Sequence, residues 1–294
     1  MCDYCPAHRD SADANGLYNN FGKSVKWKKL LFTVAQWLRI YDNKVPHPVF
    51  MHLGVNHFCI EPDELHIIYL GTLQYLLGSI LYLLVYKVQS GTPAQNMDST
   101  WDVVNNSYRT NNISCQFTNL TIGSFTDVRS PHKQYPKLKG KGAECRDLTG
   151  PMLDAWQQLA HDDYPHKQAI EDMLCHQLGL QEILSEHKLL MFLPKSVVKD
   201  FRAHIDELLM AYQKIAAQAD SDGDLLWNIP TKWHMLWHLG QRSQFINPRR
   251  AATMMNEDFV GHIKDLTHSC AAGTQLHQMA MKGYDKYRWG FHFS

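Results

Sequence analysis

Apolar positions recur at helical spacing along most of the chain. Trp27, Leu30, Leu31, Val34, Trp37 and Leu38 fall at such intervals with Lys28, Lys29, Gln36 and Arg39 between them, which predicts an amphipathic helix over 27–42. The sequence Val45-Pro46-His47-Pro48 breaks it, the mixed segment 49–60 has the character of a short strand, and Pro62 sets up a helix start at Asp63. Residues 67–86 then run without a charge and end near Lys87–Gly91. Residues 92–130, crowded with Asn, Thr and Ser, predict a polar linker. Helical periodicity returns from Pro151 and is clearest in Val198, Phe201, Ile205, Leu208, Leu209 and Tyr212. The run Asp220-Ser221-Asp222-Gly223-Asp224 closes that region as a polar turn, because the downstream Glu of a calcium loop is missing. The expected division is 1–60, an N-terminal segment; 61–91, an apolar core helix; 92–130, a linker; 131–224, a helical subdomain; and 225–294, a C-terminal helical segment.

Composition narrows the chemistry. The 294 residues are 45% hydrophobic, enough for a sizeable core, and 29 Lys plus Arg balance 29 Asp plus Glu. A neutral chain meets nucleic acid only through a local patch. Lys133, Lys137, Lys139, Lys141 and Arg146, with Tyr135 interleaved and Glu144 alone opposing, form such a stretch, which serves equally as a solvated basic loop. Lys23, Lys26, Lys28 and Lys29 form a smaller group. Seven scattered cysteines suit reduced thiols in a reducing compartment, nuclear or cytoplasmic, and no leader peptide opens the chain. Cys2 and Cys5 have the spacing of half a zinc site, with His8 nearby and His57 or Cys59 as distant ligands. His234 and His238 lie one helical turn apart, yet Trp233 and Trp237 share that spacing, so the segment reads as a core helix whose histidines orient their neighbours.

The charge-free run admits two readings. Its length suffices to cross a bilayer, the sequons at Asn105, Asn112 and Asn119 follow it, and lysines precede it; together these describe a single-span membrane protein. Against this, Gly71, Gln74, Gly78 and Tyr82 make a small, polar face suited to packing inside protein. A helical interaction module built on the stripe in 197–217 is a third possibility.

Several short motifs together carry a resemblance: Asp63-x-x-His66 with Leu70-Gly71 behind it, Tyr135-Pro136-Lys137-Leu138, the K-x-H-x-x-x-H of Lys232, His234 and His238, and Asn256-Glu257-Asp258-Phe259. They resemble the C-terminal half of RNase H-like DDE transposases of the CACTA, Plavaka and Kyakuja-Dileera-Zisupton group, over most of the chain after residue 50. The resemblance implies a mainly α fold, with a helical insertion flanked by partial RNase H-like α/β core elements. It implies Glu257 as the catalytic glutamate, Asp63, His66, His234 and His238 as motif support, DNA as partner, and a homo-oligomer. Enzymes of that group hold two Mg2+ or Mn2+ ions with three carboxylates. Two aspartates of the pattern would lie upstream of Met1, with Cys2-x-x-Cys5 resembling a cysteine pair that follows them, so the expectation is a truncated, catalytically incomplete chain.

Overall fold

The computed structural model describes residues 2–10, 12–40, 48–52, 54–270, 273 and 275–292. They form two compact units, Met1–Ala251 and Ala252–Ser294. The fold is mainly α, as expected. Among the described residues there is no β-strand, only one parallel bridge between His8 and Leu17, so the expected α/β core elements are not among them.

The charge-free run becomes the axis of the first unit. Helix α1, Val34–Ile40, precedes it; α2 spans Leu65–Val88 and is long and apolar enough to cross a membrane, yet 89% of its most apolar window is buried inside the protein. Leu73, Leu76, Leu77, Ile80, Leu81 and Leu84 are fully covered, each worth roughly 1.5–3 kcal/mol on burial. Its small, polar face is covered too. Segment 132–140 lies along it: the Leu138 N–H donates to the Gln74 carbonyl at 2.9 Å, Gln74 Nε2 donates to the Gly140 carbonyl at 3.3 Å, and the Tyr82 hydroxyl meets His132. A Cβ on Gly78 would stand 2.9 Å from the backbone of Lys137 and Leu138, which is why glycine is required at that crossing.

Two expectations from local pattern give way. Where composition predicts a linker, helix α3, Pro93–Thr110, forms. Thr92 and Gln95 make a reciprocal capping box, and Asn96 Nδ2 donates to the carbonyls of Val85, Gln89 and Gly91, closing the end of α2. These polar residues therefore terminate one helix and begin the next. The amphipathic helix expected over 27–42 is instead a 3-10 turn at Lys26–Lys29 followed by α1, with residues 41–42 outside the description. Its two tryptophans enter different clusters, Trp27 against His234 and Trp237, Trp37 against His57 and Phe50, and one continuous helix would have placed them on one face. The 49–60 strand is likewise replaced by 3-10 turns at Pro48–Met51 and His57–Cys59.

The remainder of the unit is α4 (Gly142–Asp147), α5 (Thr149–Leu159), α6 (Lys167–Glu186), α7 (Lys195–Ser221), α8 (Thr231–Arg242) and the short α9 (Pro248–Ala251). The apolar stripe read in α7 is buried as expected, from Val198 through Tyr212 to Ala219. Asp220–Asp224 makes the polar turn, with Gly223 at φ +76° and the Asp224 N–H returning to the Ala219 carbonyl. Helix α8 is fixed on two sides. Trp233 stacks on Tyr212 of α7 at 3.7 Å, and Lys232 Nζ donates to the Leu70 carbonyl of α2 at 2.8 Å. The second unit pairs α10 (Met254–Ser269) with α11 (Leu276–His292).

Candidate metal centre

The inner face of α8 turns His234 and His238 into the protein, one turn apart, and both rings are buried. The N-terminal segment meets them there. Cys2 and Cys5, also buried, bring their sulfurs to the imidazoles: Cys2 Sγ lies 3.4 Å from His238 Nε2, Cys5 Sγ lies 3.3 Å from His234 Nε2, and the two Nε2 atoms are 3.0 Å apart. All four donor atoms lie within 4.8 Å of one another. A tetrahedral zinc with Zn–S near 2.3 Å and Zn–N near 2.05 Å has S···N edges of about 3.6 Å and an N···N edge of about 3.3 Å. These three edges are a few tenths of an ångström shorter and every pair lies within 4.8 Å, so the four donors can adjust around the ion.

The surroundings favour metal ligation over a simple hydrogen-bonded cluster. His234 Nδ1 faces the Tyr18 carbonyl at 3.1 Å; a carbonyl only accepts, so Nδ1 carries the proton and the Nε2 lone pair points at the sulfurs. The Tyr4 N–H donates to Cys2 Sγ at 3.4 Å, and the Ala7 N–H plays the same part at Cys5. Each sulfur thus receives the amide two residues downstream. The hydrogen bond from Cys5, with those from His234 and His238, holds the Cys2 thiol well below its usual range against burial, while the shared hydrogen bond and burial push Cys5 up. Burial lowers the pKa of His238, which favours its neutral imidazole. A dication bound here would favour the ionised form of both sulfurs.

Aromatic rings close the site. Trp27 stands 4.3 Å from the His234 ring and 5.0 Å from Trp237, and Tyr4 stands 5.0 Å from His238. Lys28 covers Trp27 and Trp237 and donates to the Phe21 carbonyl at 2.8 Å. It is thereby withdrawn from the smaller basic group, while Lys26 pairs with Asp13 at 3.0 Å. All four donors come from the chain and all are buried, so the arrangement is that of a closed, structural site.

The ligand partners expected for Cys2 and Cys5 are corrected by this geometry. His57 stacks on Trp37 and faces the Phe32 carbonyl, Cys59 is exposed, and His8 is exposed on the His8–Leu17 bridge. The histidines read as orienting groups of a core helix are the ones that meet the cysteines. Asp63 and His66 share a face and contact each other, as their spacing implied, and Asp63 Oδ1 also accepts from the Leu65 N–H at 3.2 Å. Lys133, Lys137, Lys139 and Lys141 are exposed; Lys137 lies over the Tyr75 ring at 5.3 Å and Lys139 Nζ donates to the Gly123 carbonyl at 3.1 Å. Arg146 separates from them: it bonds Asp147 at 2.6 Å and lines a cleft with Tyr69 and Arg249. Glu257 belongs to α10 in the second unit, and its side chain lies outside the described residues.

Beside Asp63, Glu64 is fully buried and its Oε1 accepts from Arg249 at 3.2 Å. Burial raises its pKa above the ordinary carboxylate range despite the arginine. A raised folded-state pKa contributes stability at low pH that is lost as pH rises through that pKa. Glu64→Gln is therefore expected to gain stability relative to the parent as pH increases from about 4 to 8. Urea midpoints across that range check this, and a difference independent of pH would contradict it.

No protein-family profile, curated protein or solved structure matches the chain.

Proposed function

We propose that the chain is a zinc-stapled, transposase-derived helical protein that holds DNA without cleaving it. The observation that supports this reading is convergence. The Cys2/Cys5 pair and the histidines of the Lys232–His238 motif, more than two hundred residues apart, meet in one buried cluster. Lys232 reaches the carbonyl of Leu70 behind the Asp63-x-x-His66 motif, and Lys137-Leu138 cross the same helix at Gly78. Motifs that belong to one functional core are expected to pack this way. Two sulfurs and two imidazole nitrogens select Zn2+; Mg2+ and Mn2+ prefer oxygen. The zinc is structural, and a dinuclear catalytic site would need a set of carboxylates around its metals that this reading does not assign. Free thiols at this site suit the nucleus or cytoplasm.

DNA retention is assigned to Lys133, Lys137, Lys139 and Lys141, the first three within the 132–140 segment along α2, where burial of Leu138 leaves Lys137 and Lys139 facing out. Phosphate contacts release counterions, so affinity falls steeply with salt and little with sequence. Changing all four lysines to Ala is expected to reduce the slope of log affinity against log salt by up to about four units, with zinc content unchanged. Titration of labelled duplex at several salt concentrations provides the test. An unchanged slope assigns the lysines to a solvated loop, and absence of binding by the parent removes the DNA reading.

A further inference from the structure

Helices α6 and α7 pack against each other, and each turns one half-buried histidine toward the other. His176 Nδ1 and His204 Nδ1 face each other at 3.1 Å, with ring centroids 5.3 Å apart and planes at 63°. The His204 ring is seated over Gly179, where a Cβ would stand 2.6–3.1 Å from three of its atoms. Glycine disfavours a helix interior, and here it leaves the space that the ring occupies. Among the described residues neither Nε2 has a hydrogen-bond partner, so both rings can carry their proton on that side and direct two Nδ1 lone pairs at one point. Burial and the neighbouring His176 lower the pKa of His204, which favours the neutral imidazole that a metal requires. His176 also lines an open cleft of about 540 Å3 with His166, Asp172 and Glu207, a route from solvent that the buried cysteine–histidine centre lacks.

We propose that His176 and His204 form a second, exchangeable metal site, taking a borderline divalent ion such as Zn2+ or Ni2+ through both Nδ1 atoms with water in the remaining positions. Imidazole suits these ions, whereas Mg2+ and Ca2+ prefer oxygen. With each nitrogen about 2.05 Å from the ion, a separation of 3.1 Å corresponds to an angle at the metal of about 98°, between the octahedral and tetrahedral values. In the ion-free pair one Nδ1–H donates to the other Nδ1; on binding, that ring carries its proton on Nε2 instead, so the imidazoles stay neutral and no proton is released. Two ligands beside open water hold an ion less tightly than four buried ones. The purified chain therefore keeps zinc at the closed centre, and the histidine pair fills only when metal is supplied. Because the ion bridges α6 and α7, it makes the stability of that helix pair depend on available metal. The site shares no ligand with the closed centre and none of the lysines assigned to DNA.

Calorimetric titration of the zinc-loaded full chain with Ni2+, with zinc content measured before and after, tests the proposal. One equivalent of Ni2+ is expected to bind without displacing zinc. His176→Gln and His204→Gln are each expected to lose it while keeping the parent's helix content and zinc, and the exposed His161→Gln to retain it. Gly179→Ala keeps both imidazoles but puts a Cβ where the His204 ring sits, and is expected to weaken binding at least about tenfold. Absence of saturable Ni2+ binding by the parent overturns the proposal. Binding that survives both histidine variants at the parent's affinity does so too, by assigning the ion to other histidines, as does uptake matched by loss of zinc, which would place the nickel at the buried centre.

Discussion

Cys5→Ser is expected to destabilise the first unit more than any other single substitution discussed, by several kcal/mol, on the order of 5. Cys5 is fully buried, and its sulfur is one of two that join the N-terminal segment to α8 across more than two hundred residues. Structural zinc sites in small peptides contribute about 10–16 kcal/mol of apparent binding free energy. Part of that supports the fold here, since α2, α3 and α5–α7 have their own apolar core. The segment from Cys2 to Trp27 is expected to detach first, taking Tyr18 from His234 and Trp27 from Trp237. Tryptophan fluorescence should therefore change at low urea, before the loss of helix seen by circular dichroism. The exposed Cys59→Ser is the control and is expected to leave both transitions in place. Equal effects of the two substitutions would contradict the assignment.

The second large effect is expected at Gly78. A Cβ there would meet the backbone of Lys137 and Leu138 at 2.9 Å, and backbone atoms cannot turn aside as a side-chain tip can. Gly78→Val should cost about 3 kcal/mol, at the upper end for overpacking, by lifting segment 132–140 off α2. The Leu138–Gln74 and Gln74–Gly140 hydrogen bonds would be lost with it. Hydrogen exchange read by mass spectrometry should show deprotection of 132–140 with α6 and α7 unchanged. Gly150→Val, where a Cβ meets nothing, isolates the steric contribution from the helix-propensity one. Similar urea midpoints for the two variants would rule out close packing as the reason for glycine at 78.

What was legible in the sequence follows from the range of the forces involved. The stripe of α7 and the small face of α2 are local patterns with one period, and each appears in the structure where the residues place it. The polar stretch after α2 was not legible as structure, because Thr92, Gln95 and Asn96 act by capping, and low hydropathy hides a helix whose buried side is Met97, Val104 and Tyr108. Trp27 and Trp37 have helical spacing, yet they are drawn into separate aromatic clusters by partners far away in sequence. The metal centre was half legible. The spacing of Cys2 and Cys5 and that of His234 and His238 are each typical of metal ligands, but nothing local joins one pair to the other. Trp233 and Trp237, at the same spacing, favoured a core helix; in the structure α8 is both, with Trp233 on Tyr212 and the histidines on the sulfurs.

X-ray absorption at the zinc K-edge, with metal content measured on the same purified sample, tests the central claim most directly. One zinc per chain is expected, with a first shell of two sulfurs at about 2.3 Å and two nitrogens at about 2.0 Å. The His234→Ala/His238→Ala variant is expected to lose the nitrogen shell and most of the metal. A chain purified without stoichiometric zinc and unable to take it up, or a double variant that keeps the parent's metal and spectrum, would contradict the account.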